Sequence, residues 1–336
     1  MKKNFIVLLV VTVIVLAFRA GSSLVTWPEY FPEPVYDFKA SPLTGDKIEL
    51  GRQLFYDPVL SIDSSTSCAS CHSPYNAFAH VDHSLSHGVH DSIGTRNAPA
   101  LFNLAWQKQF MWDGAINHIE VQPLAPINSA TEMHENIAHV VVKLQRSRFY
   151  PQMFYKAFGD SLITGQNVLL ALAQFQLTLV SANSKYDSVT QHTATFNAQE
   201  EKGYALFKAH CNVCHREPLF STYEYARNGL SPDPALNDLG RFNITRAAKD
   251  SFLFKIPSLR NVGYSYPYMH DGRFYTLFQV ISHYSEGTTG KEYIAGPLKL
   301  NKGFAISEKL DLVAFLLTLN DKKFIFDRKH GPPPRK

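Results

Sequence analysis

The sequence predicts an all-α protein of two repeated domains, each a few helices joined by long loops. Three observations predict it. All four cysteines of the 336-residue chain fall in two C-x-x-C-H segments, Cys68–His72 and Cys211–His215. Around those segments, five landmarks recur in one order. The apolar periodicity is helical, and the alternating runs that mark strands are sparse.

From the N-terminus, Lys2 and Lys3 precede an apolar run from Phe5 to Phe18. Arg19 and the small residues Ala20, Gly21, Ser22 and Ser23 follow it. A basic start, a short apolar core and small residues read as an export signal over residues 1–21. The run is shorter than the ~20 residues that span a bilayer comfortably. An uncleaved N-terminal anchor is the alternative reading. Either way the remainder is expected outside the cytoplasm.

Lys and Arg number 33 against 29 Asp and Glu, and three of the basic residues lie in the first 19 positions. The rest of the chain is therefore close to neutral, which argues against nucleic acid as a partner. Hydrophobic residues at 45% exclude a disordered chain, and the length allows two cores.

The repeat is read next. Gly51-x-x-Leu54-Phe55 precedes the first cysteine pair and Gly203-x-x-Leu206-Phe207 the second. The latter sits on a helix that Asn197 can cap, with Glu200 placed for a capping box. After each pair comes P-x-L-x-N, at Pro99–Asn103 and Pro257–Asn261. Ten residues beyond each Asn stands an Asp-Gly pair, Asp113-Gly114 and Asp271-Gly272, each preceded by Met-x. Met111 and Met269 are expected to pack in the core. Phe175-x-Leu177-Thr-Leu179 matches Phe315-x-Leu317-Thr-Leu319 on two late helices. The expected organisation is a signal or anchor over 1–21, an N-terminal domain over 41–190, a C-terminal domain over 191–320 and a tail over 321–336.

The C-x-x-C-H spacing has a definite chemistry. Two thiols one helical turn apart can each form a thioether with a haem vinyl group, and the adjacent His then ligates the iron. Cys68, Cys71 and His72, with Cys211, Cys214 and His215, are therefore read as two covalent haem c sites. A redox dithiol needs no His. Zinc would want four grouped cysteines, and two disulfides remain as a further alternative.

At these residues the chain resembles the bacterial dihaem cytochrome c peroxidase family, which includes the MauG-type enzymes. The resemblance runs from Leu43 to Leu319. Its signatures are the two haem motifs, Arg96-Asn97-Ala98-Pro99, Trp112-Asp113-Gly114, Glu132-Met133 and Pro267-Tyr268-Met269-His270-Asp271-Gly272. It implies two cytochrome c-like domains in the periplasm, with hydrogen peroxide reduced at the N-terminal haem. Electrons would enter through the C-terminal haem from a small cytochrome c, a cupredoxin or a quinol. It implies that Glu132 is the distal carboxylate, Gln122 its companion amide and Trp112 the residue between the haems. Asn97, with the main-chain oxygens of Ser265 and Pro267, matches an interdomain calcium site, a donor set that suits Ca²⁺. The segment after the last helix is expected to fold back on the first domain. Members often pair, so a homodimer is one expected assembly.

The repeat also compares the two sixth positions. Tyr284 lies thirteen residues after Asp271, where the family places the sixth ligand of the C-terminal haem, and Pro126 lies thirteen after Asp113. Proline cannot ligate, so the N-terminal iron is expected open, and Tyr284 is expected to close the other, with His283 the alternative. In other members a histidine in the loop His80–His90 caps the first iron. Counting back from Arg96, that position here is Val89, flanked by His87 and His90. The four-histidine loop itself reads as solvated, with a metal site the sharper alternative. Three functions compete: a peroxidase, a MauG-like oxidase that spends stored oxidising equivalents on a partner protein's side chains, and a plain dihaem electron carrier. The peroxidase is favoured, and Glu132 with Pro126 speaks against the carrier.

Overall fold

The structure is a computed structural model that describes residues 24–286 and 303–334. The expected export signal lies outside the described residues. Two long helix crossings organise the chain. In the first, α1 (Gly45–Tyr56) packs on α6 (Gly165–Leu177); in the second, α8 (Ala198–His210) packs on α11 (Ile306–Leu317). Between α1 and α6 come α2 (Cys68–Cys71), α3 (Leu124–Asn128), α4 (Ile137–Arg146) and α5 (Tyr150–Phe158). Further on come α7 (Lys185–Thr190), α9 (Phe242–Thr245), α10 (Leu277–Ser285) and α12 (Lys322–Ile325). The one sheet among the described residues pairs β1 (Tyr225–Ala226) antiparallel to β2 (Phe254–Lys255), with Tyr225 opposite Lys255.

Local chemistry starts these helices. The Thr44 hydroxyl accepts from the Lys47 amide to open α1, and Thr164 does the same for Asn167 on α6. Asn197 caps α8, and Glu200 completes the capping box expected from sequence. No helix of the described residues is long and apolar enough to cross a membrane.

The landmarks of the repeat are the contacts that build both crossings. A Cβ on Gly51 would stand 1.9 Å from the Ala171 carbonyl oxygen, and one on Gly203 would stand 1.9 Å from that of Asp311. Glycine therefore lets each pair of helices touch backbone to backbone. Phe175 and Phe315, the matched aromatics, pack beside those glycines in the two cores. Asn103 and Asn261 both adopt left-handed φ, 52° and 57°, a conformation asparagine tolerates. Their amide nitrogens donate to the carbonyls of Leu179 and Leu319 at 2.8 and 3.0 Å.

The two asparagine side chains then meet at one buried node. Asn103 exchanges hydrogen bonds with the Ser181 backbone, at 3.1 and 2.9 Å. Asn261 accepts from the Asp321 amide at 2.8 Å and donates to the Ser181 hydroxyl at 2.9 Å. That hydroxyl donates in turn to the Asp321 carboxylate, at 3.1 Å.

Both chain ends act as straps. Phe324 and Ile325 of α12 enter the core of Leu54, Phe55 and Phe78, while Tyr56 donates to the His330 carbonyl at 2.6 Å. The segment after the last long helix thus folds back on the first half, as the resemblance implied. At the other end Trp27, Tyr30, Phe31, Tyr36 and Phe38 pack on Leu104, Trp106, Phe110 and Leu219, which come from both halves. The sequence reading gave residues 22–40 no role. Tyr30 donates to Asp187 at 2.8 Å, and Asp187 forms a buried bidentate pair with Arg260 at 2.9 and 2.7 Å.

The crossings yield a test. Gly51→Ala and Gly203→Ala should each cost about 1–3 kcal/mol or more, since overpacking forces the backbones apart. Gly45→Ala, where a Cβ meets nothing within 4 Å, should be neutral or stabilising by about 0.5–1 kcal/mol. Denaturant unfolding of the three variants measures this directly.

Candidate active site

Each cysteine pair and its histidine form one hydrogen-bonded turn. The His72 amide donates to the Cys68 carbonyl and the His215 amide to that of Cys211, both at 2.9 Å. The first pair makes up α2, and the second follows directly on α8. The imidazole Nδ1 of His72 donates to the Phe78 carbonyl at 2.7 Å, and that of His215 to the Pro257 carbonyl at 3.1 Å. Each bond fixes the tautomer and leaves Nε2 free to ligate a metal. Burial pushes both imidazoles down to about 4, so they stay neutral, as a ligand must be.

The donor set fits covalent haem at both places. All four thiols are free, which removes the disulfide alternative. Among the described residues no group of three or more His, Cys, Asp or Glu is arranged to hold a metal ion. Burial raises Cys68 and Cys211 to about 12 and Cys71 to about 11. A redox dithiol instead needs a lowered thiol.

Facing the first pair is Glu132, in the turn after α3. Burial raises its carboxyl above the ordinary range, opposed by a hydrogen bond from Ser129. Its charge acts on both Cys68 and Cys71, so the carboxylate lies near both thiols. The loop below is pressed against it. A Cβ on Gly88 would lie 2.3 Å from the Thr131 carbonyl oxygen and 2.4 Å from that of Glu132, and the Val89 amide donates to the latter at 2.8 Å. Gln122 directs its amide to the Met111 thioether at 3.7 Å.

The His80–His90 loop is more ordered than a solvated reading predicts. His83 and His87 stack with ring centroids 4.1 Å apart, and the buried Nδ1 of His80 has no hydrogen-bond partner. His90 is exposed and lies 3.7 Å from Asp63. The fully buried residue is Val89.

At the second pair, Tyr284 on α10 plays the facing role. Burial raises its phenol well above the usual range, and the nearby Cys211 and Cys214 add to the effect. His283 points elsewhere, its Nε2 donating to the Asn228 carbonyl at 2.9 Å. The Asn228 side chain donates to the Met269 thioether at 3.4 Å. Met111 and Met269, expected in the core, are thus half-buried thioethers that each accept an amide N–H. Both have left-handed φ angles, 69° and 75°.

Trp112 lies on the seam between the halves. Its indole donates to the Asn97 carbonyl at 2.8 Å, and its own carbonyl accepts from the Lys255 amide at 2.7 Å. Arg96 is clamped by Asp113 and Asp238, each at 2.6 Å. The Asn97 amide donates to the His270 carbonyl at 2.7 Å, which ties it to the loop carrying Ser265 and Pro267. Sequence reasoning missed Asn228, Asp238 and Lys255. None of them lies on a repeated landmark, and the one signal was Arg96, a motif arginine in want of a carboxylate.

Comparison with known proteins agrees with this geometry. A family model for di-haem cytochrome c peroxidase matches residues 45–195. The methylamine utilization protein MauG of Methylorubrum extorquens is 37% identical over 306 residues, 87% of this chain and 82% of the relative. The cytochrome c551 peroxidase of Nitrosomonas europaea is 33% identical over 313 residues, 90% and 88% of the two chains. A crystal structure of a MauG-like protein associated with microbial copper homeostasis superposes with a TM-score of 0.81 at 30% identity, covering 91% of this chain and 98% of that one. The diheme peroxidase BthA of Burkholderia thailandensis shares the fold, with a TM-score of 0.72 over 88% and 91% of the chains. This chain belongs to the di-haem cytochrome c peroxidase family. It is an oxidoreductase acting on peroxide, with two haems c as its cofactors.

Attachment is directly testable. Replacing Cys211 and Cys214 together by Ala should leave one covalent haem per chain in a pyridine haemochrome assay, against two in the parent.

Proposed function

We propose that the chain reduces hydrogen peroxide to two waters at the N-terminal haem, taking up two protons from solvent and two electrons that enter through the C-terminal haem. In this reading residues 41–190 and 191–320 are two cytochrome c-like domains, working in the periplasm on electrons from a small cytochrome c, a cupredoxin or a quinol. The observation that carries it is Glu132, a half-buried carboxyl packed on the loop whose His87 carbonyl meets the Cys71 thiol at 3.3 Å. When bound, the haem supplies the iron at which the O–O bond is split. Glu132 takes the proton from one peroxide oxygen and returns it to the departing one. Gln122, steadied by Met111, offers the second polar contact. Pro126 has no donor atom to place on the iron, and Val89 is buried against the Glu132 backbone. Both leave that face open to peroxide.

Trp112 is the relay, and His72 and His215 would each hold a haem iron through Nε2. Tyr284 would close the C-terminal iron, since His283 is committed to Asn228. Asn97 with the carbonyls of Ser265 and Pro267 is the candidate calcium site, and pairing of two chains is compatible with the family.

One observation favours a second reading. A phenolate ligand, unlike a thioether, favours an oxidised iron, so Tyr284 beside Cys211 and Cys214 suits a MauG-like oxidase acting on a partner protein. Steady-state peroxide reduction with reduced cytochrome c separates the two: sustained turnover supports the peroxidase, and none supports the oxidase.

Two outcomes are expected. Glu132→Gln should slow peroxide turnover by about 10²–10⁴-fold with both haem spectra intact. Because burial raises this carboxyl, the acid limb of the parent's pH profile should inflect above the ordinary carboxylate range and vanish in the variant. The oxidised parent should show one high-spin and one low-spin haem by EPR and react with peroxide without prior reduction. Tyr284→Phe should alter the low-spin signal alone.

A further inference from the structure

Lys255 is a cation from one half of the molecule inserted into the other. Its Nζ donates to the Gln107 side-chain oxygen at 2.6 Å and to the Gln109 carbonyl at 2.8 Å. Its main-chain amide donates to the Trp112 carbonyl at 2.7 Å. Tyr225, its partner across the β1–β2 pair, donates to the Gln109 side chain at 2.8 Å. Four hydrogen bonds from one short strand pair thus hold the segment 107–112 at both ends, and that segment delivers Trp112 to the seam.

Every acceptor of the ammonium is neutral. Asp113 is the acid that acts on it, and that carboxylate is already held by Arg96 at 2.6 Å. Arg241 stacks over Tyr225 at 4.0 Å and donates to the Asp113 carbonyl. Asp238 is bound to Arg96, Glu224 acts on the Tyr225 hydroxyl, and Lys108 in the held segment is exposed. Removal from water pushes the amine down to about 7, with Asp113 opposing. A cation with no paired carboxylate costs stability, so Met would be the cheaper residue here.

We propose that Lys255 is a positioning residue for electron transfer, its ammonium fixing the segment that carries Trp112 and making the relay sensitive to pH. The inference rests on the reading of Trp112 as the relay. A charged donor makes the stronger hydrogen bond, so the grip is full while the ammonium persists and slackens as pH rises through about 7. The unfolded chain binds this proton more readily, so folding stability should rise from about pH 7 toward the ordinary lysine range.

The test uses the dihaem holoenzyme. After mixing with peroxide, stopped-flow absorbance follows electron transfer from the second haem, and amide hydrogen exchange follows residues 107–112. In the parent the transfer rate should fall as pH rises through neutrality. Lys255→Met should slow transfer on the order of tenfold at pH 6, flatten the profile and raise exchange in 107–112, without loss of thermal stability. Lys255→Arg, whose charge persists, should keep fast transfer with a flat profile. A Lys255→Met enzyme with the parent's pH profile and parent-like exchange would overturn the proposal. If Lys255→Met does not fold, a Lys255→Arg profile identical to the parent's does the same. Trp112→Phe with an undiminished rate would sink the relay reading alone, since hydrogen exchange still reports the grip.

Discussion

The buried node of Asn103, Asn261, Ser181 and Asp321 is the constraint on which the two-fold design depends. Each asparagine belongs to a repeated landmark, and each returns to the residues that follow its own half's last long helix. Asn261 also reaches Ser181, and Asp321 accepts from the amides of Ala182 and Asn183. The halves therefore share their polar closure. Losing any one partner strands buried donors or acceptors at about 1–3 kcal/mol each, whereas a satisfied bond contributes only ~1 kcal/mol net. That asymmetry makes the node specify the docking geometry more than it adds to total stability.

From this docking follows the reciprocity at the seam. A Cβ on Gly114, from the first half, would stand 1.7 Å from the Tyr225 hydroxyl of the second. A Cβ on Gly272, from the second, would stand 2.2 Å from the Ser84 carbonyl oxygen of the first. The Asp-Gly landmark is thus where each half receives the other's loop, and both glycines have φ near +70°. Trp112 stands two residues from the first of these points, so the geometry that joins the halves also fixes its backbone at the seam.

Much of this was legible in the sequence because the repeat states each constraint twice. Gly51 with Gly203, Asn103 with Asn261 and Phe175 with Phe315 all marked real packing, and Asn197 with Glu200 marked a real helix start. Of the site residues with a motif, Glu132 lies close enough to Cys68 and Cys71 for its charge to act on them, and Tyr284 stands in the same relation to Cys211 and Cys214. What could not be read were contacts with no periodicity. The aromatic strap from Trp27 to Phe38 has no helical or strand pattern, and its partners lie on both halves. Arg260 and Asp187 are 73 residues apart, and nothing local announces that they bury together. Met111 and Met269 were misjudged because an apolar side chain suggests core, while each thioether accepts from a carboxamide distant in sequence.

The repeat also explains how one module can serve two purposes. Both cradles keep a neutral imidazole on a backbone carbonyl, a pair of desolvated thiols and a thioether holding a carboxamide, Gln122 in one and Asn228 in the other. The difference is confined to what faces the thiols. A carboxylate that burial makes reluctant to ionise is a proton carrier, while a phenol in the same setting is a group that bonds or blocks. Water exclusion supplies both behaviours, because the same desolvation that lifts the Glu132 carboxyl lifts the Tyr284 phenol. In the proposed reading, divergence at a few positions on a shared scaffold is what would separate peroxide chemistry from electron supply.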